Sequence, residues 1–104
     1  MAVFAYDKMG AVIHAPAEAE MAALLDSLSA EDIEHQDVSL NDEQGWSLSV
    51  FPGGLIVFEN VETGEGPWHM QSVTREKILE HWKDLAAGNH QKLLSLPWVA
   101  GYGA

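Results

Sequence analysis

Hydrophobic positions in this chain recur with two periods, near 3.6 and near 2, and the points where one gives way to the other delimit its elements. Two short apolar runs, residues 2–6 and 11–14, flank Asp7-Lys8-Met9-Gly10, a sequence suited to a turn, and read as a hairpin. Met21, Leu24, Leu25 and Leu28 follow at helical spacing. Pro16 suits the first helical position, and Glu18 and Glu20 fall in a first turn where the helix dipole favours anions. The spacing predicts a helix over 16–28. Ser29-Ala30-Glu31-Asp32 then caps a further turn or leads into a loop.

The period next drops to two. Gln36, Val38 and Leu40 share one face of a strand, and Asn41-Asp42-Glu43-Gln44-Gly45 is turn chemistry. Trp46-Ser47-Leu48-Ser49-Val50-Phe51 alternates large apolar residues with serine, the pattern of a strand with one buried face and serines toward solvent. Pro52-Gly53-Gly54 breaks it. Leu55 to Phe58 is apolar on both faces, which predicts a central strand covered on both sides. Glu62-Thr63-Gly64-Glu65-Gly66 turns the chain again, and Trp68 to Val73 makes a weaker strand.

Helical spacing returns after Thr74, an N-cap residue, with the stripe Ile78, Trp82 and Leu85 flanked by Leu79 and Ala86. Gly88 stands where a left-handed terminator belongs, and a short helical turn around Gln91–Ser95 precedes Pro97. The order of elements predicts one α+β domain over 1–104: an antiparallel meander sheet of about four to five strands with two main helices packed on it. Trp46, Leu48, Val50, Val57, Ile78, Trp82 and Leu85 are the expected core.

Composition narrows the possibilities. With 104 residues, 47% hydrophobic and 20% charged, the chain supports a core of its own. Its longest aliphatic-aromatic run, Leu55 to Phe58, is far short of the roughly 20 residues a membrane helix needs. Residues 1–8 lack a basic leader ahead of an apolar stretch, which argues against a cleaved secretory signal and for a cytoplasmic protein. The absence of cysteine removes disulfides, thiolate catalysis and cysteine zinc sites together.

Charge changes the picture most. The formal net charge is −11, and it is unevenly spread. Residues 1–66 hold thirteen acids and one base, Lys8, a balance of −12; residues 67–104 hold three acids and four bases, a balance of +1. Glu31, Asp32, Glu34, Asp37, Asp42 and Glu43 succeed one another with no base between them. Such a surface repels phosphate backbones and anionic lipid, so nucleic acid and membranes are poor partners. A basic protein is a good one.

No catalytic signature emerges. Histidines stand at 14, 35, 69, 81 and 90, and no pair has the i, i+4 spacing of a helical metal site. A calcium loop starting at Asp37 would want glycine at its sixth place, which holds Asp42. There is no G-x-S-x-G elbow, and Gly64-Glu65-Gly66 lacks the third glycine of a dinucleotide fingerprint. The expectation is a non-enzyme, without cofactor or metal. Trp46 and Trp82 belong to apolar stripes and read as core. Trp68 and Trp98 each follow a proline and have two readings: a satellite cluster in which the tail folds back over the sheet, or anchors at an interface, where tryptophan is enriched.

Gly45-Trp46-Ser47-Leu48-Ser49-Val50 with its Pro-Gly-Gly turn, and Leu96-Pro97-Trp98-Val99-Ala100-Gly101-Tyr102, together with small size and acidity, give the chain a class-level resemblance to the immunity proteins of bacterial toxin systems. That resemblance implies a cytoplasmic protein that binds one cognate toxin and neutralises it. Charge then selects the expected docking residues: Glu31, Asp32, Glu34, Asp37, Asp42, Glu43, Glu62 and Glu65, with Trp68 as anchor and a basic toxin domain as partner. Like charges oppose self-association beyond a monomer or weak dimer. The alternatives are an acidic accessory or adaptor subunit, and a small ligand-binding domain using His69 or His81.

Overall fold

The computed structural model describes residues 2–29 and 36–103. They form seven strands and three helices in one α+β arrangement. The strands are β1 (Val3–Tyr6), β2 (Val12–His14), β3 (Val38–Asp42), β4 (Trp46–Val50), β5 (Ile56–Asn60), β6 (Trp68–Met70) and β7 (Val99–Ala100); the helices are α1 (Glu18–Asp26), α2 (Arg75–Ala86) and α3 (His90–Leu94). All neighbours pair antiparallel in the order β2-β1-β3-β4-β5-β6-β7. The sheet is therefore wider than the expected four to five strands. The hairpin β1–β2 joins it through pairing of β1 with β3 across the intervening α1, and the two-residue β7 is too short to show a period.

Strand alternation sorts the side chains. Ala5, Leu40, Leu48, Phe58 and Trp68 stand opposite one another along one row, and Val38, Val50, Ile56 and Met70 along another, all on the face that meets the helices. Met21, Leu24 and Leu25 of α1, Ile78, Trp82 and Leu85 of α2 and Leu93 of α3 close the core from the other side. Val57 is buried too, but it alternates to the opposite face and lies outside this cluster.

Local chemistry sets the helix ends. Ala17 is extended at φ −73°, ψ 164° and its N–H donates to Glu20 Oε1 at 2.9 Å, so α1 starts at Glu18, two residues later than the proline implied. It stops at Asp26, where Ser27 donates from Oγ to Leu24 O at 2.6 Å. Thr74 Oγ1 accepts from Lys77 N at 3.3 Å and caps α2. At its other end Gly88 (φ +78°) donates to Leu85 O and Asn89 to Asp84 O, a Schellman closure that reverses the chain into α3.

Trp82 is the centre of the helix layer. It has no exposed surface, and its indole N–H donates to Leu48 O at 3.1 Å. Truncation of Trp82 to Ala is expected to cost about 3–5 kcal/mol, and to Phe about 1–3 kcal/mol, because the carbonyl loses its donor; chemical denaturation measures both.

Immediately before Trp82, His81 is buried on the same helix, and that burial lowers its pKa against the opposing pull of Glu80 and Asp84. The unfolded chain therefore takes up the proton first. Stability is expected to be undiminished by this group above about pH 6.5, to decline as pH falls below it, and to level off once folded His81 is protonated as well. His81→Gln should reduce the slope of stability against pH across that window, read from urea midpoints at matched ionic strength.

Candidate interaction surface

The face of the sheet turned away from the helices is built from short side chains between tall ones. Ser39 pairs with Ser49 and Asn41 with Ser47, which makes a polar floor across β3 and β4. On one side β1 raises Tyr6 and Phe4 opposite Ser39 and Asn41. On the other, β5 raises Val57 and Glu59 opposite Ser49 and Ser47. The floor is recessed between these walls. Ser39 and Ser47 are buried (8% and 7% exposed) although no helix among the described residues lies over them. Their face agrees with the strand pattern; the solvent exposure expected of Ser47 does not follow, because its neighbours stand taller.

The tail closes one flank of this face. Gly101 N donates to Pro67 O and its carbonyl meets His69 Nδ1 at 2.9 Å. Tyr102 Oη donates to Glu59 Oε1 at 3.1 Å, and that bond to a carboxylate raises the phenol's pKa. At Gly103 (φ +84°) a Cβ would stand 2.9 Å from the His69 ring and 3.0 Å from Leu55, so only glycine lets the backbone lie this close. Val57, which pairs with His69, is buried on this face. His69 itself is on the outer face while His81 faces the sheet from α2, so the two histidines lie on opposite sides of the sheet.

The expected docking acids separate into four groups. Glu31, Asp32 and Glu34 lie outside the described residues. Asp37 precedes β3, whereas Glu43 follows it; six residues of extended chain put them about 20 Å apart, at opposite ends of the sheet. Glu43 lies on one, and Glu62 and Glu65 on the other, of two turns that are joined. Asn60 Nδ2 donates to Gln44 O, Val61 N donates to Gly45 O, and Asn60 Oδ1 accepts from both Glu62 N and Thr63 N, which fastens the β3–β4 turn to the β5–β6 loop. Gly45 (φ +93°) makes this possible, since a Cβ there would stand 2.6 Å from Asn60 Oδ1 and 2.9 Å from Glu62 Cβ.

Asp42 is the correction. Its carboxylate is wholly buried, accepting from Gln44 N and Trp46 N at 3.0 Å each and from His90 Nε2 at 2.7 Å, with His90 lying against Trp46. Next to a turn of polar residues it reads as a surface acid in sequence; only α3 brings it a partner. Trp68 is likewise engaged inside. It faces the core with its ring 6.2 Å from Phe58, and Trp98 stacks on Phe58 at 5.5 Å while donating to Leu93 O at 2.7 Å. The two form the satellite cluster.

Four of the five cations stand on the helix layer, each against a carboxylate, and the fifth, Lys8, lies in the β1–β2 turn. Arg75 holds Asp26 through two bonds of 2.8 and 3.2 Å, Lys83 meets Glu18 at 2.6 Å, Lys77 meets Glu80 at 3.3 Å and Lys92 meets Asp84 at 3.1 Å. The first two join α2 to α1. Among the described residues no cation meets Glu43, Glu62 or Glu65. No described helix is long and apolar enough to cross a membrane. Comparison of the chain with protein families, with characterised proteins and with solved structures finds no match.

These placements separate two kinds of acid. Asp42→Ala removes the acceptor of two backbone N–H groups and the partner of His90, and is expected to cost about 3–5 kcal/mol. Changing Glu43, Glu62 and Glu65 together to Gln is expected to alter stability by less than about 1 kcal/mol. Equal losses in urea denaturation would place all four in the scaffold.

Proposed function

We propose that the chain is an immunity-type binding protein of the cytoplasm, which docks a basic toxin domain on the helix-free face and acidic end of its sheet and neutralises it there. The observation that carries this reading is the division of charge between the two sides of the sheet. On the helix side Arg75, Lys77, Lys83 and Lys92 are each matched by a carboxylate of the chain itself. At the sheet end Glu43, Glu62 and Glu65 have no such match among the described residues, and Glu59 on the outer face meets a phenol. Unbalanced negative charge at that end steers a basic partner toward it and repels phosphate and lipid.

The outer face supplies the rest of a docking surface. Tyr6 and Phe4 offer aromatic area at the wall, and the serine floor gives hydrogen-bonding groups that a partner's loops can meet. The bases that would attract a second copy are already used within the chain, in keeping with a monomer or weak dimer.

Co-expression of the chain is expected to protect a bacterium from the toxin encoded beside it. The combined change Glu43→Lys, Glu62→Lys and Glu65→Lys should slow association by about tenfold or more at low salt, flatten its salt dependence and weaken protection. Asp37→Lys, at the other end of the sheet, should do neither. A triple variant that folds normally and still protects fully would refute this placement of the interface.

A further inference from the structure

Where the outer face reaches the acidic end, it opens into a cavity of about 310 Å³. Phe4 and Tyr6 form one wall, with their rings edge-to-face at 5.6 Å. Val61 and Glu62 form the other, and Asn41 and Gly45 lie between. Tyr6 is 40% exposed and Val61 69%, so this is open surface rather than sealed core. The volume is at the low end for small-molecule sites, roughly 300–1,000 Å³, which suits one side chain better than a large cofactor.

The chemistry of the lining selects the guest. An anion would meet Glu62 with no cation in the lining to balance it, and Arg75, Lys77, Lys83 and Lys92 are paired on the far side of the sheet. A purely apolar group would strip water from the Asn41 amide and the Glu62 carboxylate without replacing its hydrogen bonds. A planar cation satisfies every wall: aromatic faces attract it, the carboxylate takes its charge, and the amide oxygen accepts an N–H. The site is also braced. Glu62 N is held by Asn60 Oδ1 at 2.9 Å and its stem lies against Gly45.

We infer that the cavity between Phe4, Tyr6 and Glu62 is a receptor for one arginine side chain presented by the docked protein. The inference rests on the docking reading above and deepens it: the acids of the turns govern encounter, and this pocket fixes the register of the complex.

The test uses the intact chain and two small probes, N-acetyl-Gly-Arg-Gly-amide and the same peptide with neutral citrulline in place of arginine, followed by amide shifts in NMR titrations. The arginine peptide is expected to give saturable shifts centred on Phe4, Tyr6, Asn41 and Glu62, and to bind about threefold or more tighter than the citrulline peptide. Glu62→Gln, which leaves the pocket's shape intact, should abolish that preference, and Phe4→Leu should weaken arginine binding while the spectrum stays that of the folded chain. Equal binding of the two peptides, shifts confined to another face, or no saturation would overturn the pocket. Co-expression separates this from the docking reading. Full protection lost on Glu43, Glu62 and Glu65 reversal, together with an indifferent pocket, removes the arginine receptor and leaves the interface.

Discussion

A sheet with all its helices on one side must serve two different environments at once, and the period-two alternation of its strands has to satisfy both. In β3 and β4 this is plain: Val38, Leu40, Leu48 and Val50 face the helices, while Ser39, Asn41, Ser47 and Ser49 face away. A one-residue slip in register would exchange the two sets, burying serines against Trp82 and presenting leucines to water. The tie between the Trp82 indole and the Leu48 carbonyl fixes where the central helix sits on the sheet. The core, the recessed outer face and the positions of the turns all follow from that one-sided layering.

Charge obeys the same division. The helices bring acids and bases close enough to match: Asp26 with Arg75 and Glu18 with Lys83 between α1 and α2, Asp84 with Lys92 between α2 and α3. Exposed pairs of this kind contribute little to stability, about 0–1 kcal/mol each. Their larger consequence is that the cations are taken up where they stand. Among the described residues, Glu43, Glu62 and Glu65, at the end where two turns meet, are left without a cation.

That end is both scaffold and surface. Asp42 and Asn60 point their oxygens at backbone N–H groups of the turns, and His90, delivered by the Schellman closure of α2, completes the buried pair. A wholly buried carboxylate is tolerable only with such a full set of donors. Because these two inward residues hold the loops, Glu43, Glu62 and Glu65 are free to face solvent from fixed positions, with the aromatic cavity beside them. A preorganised acidic surface loses less on binding than a mobile one.

Sequence by itself determined the parts whose signals are local. The period of two in Trp46–Val50, the 3.6 stripe of Ile78, Trp82 and Leu85, the Thr74 cap and the Gly88 terminator each act within a few residues, and each stands where the pattern put it. Tertiary structure decided what depends on distant segments meeting. The pairing of β1 with β3 brought Phe4 and Tyr6 to the outer face, and β7 added an edge strand too short for any period to show. Folding also split a continuous acidic run: extended chain carried Asp37 to the far end of the sheet, α3 drew Asp42 inside, and the turn left Glu43 exposed. Charge in a sequence fixes how much there is; alternation, register and burial decide which of it reaches the surface.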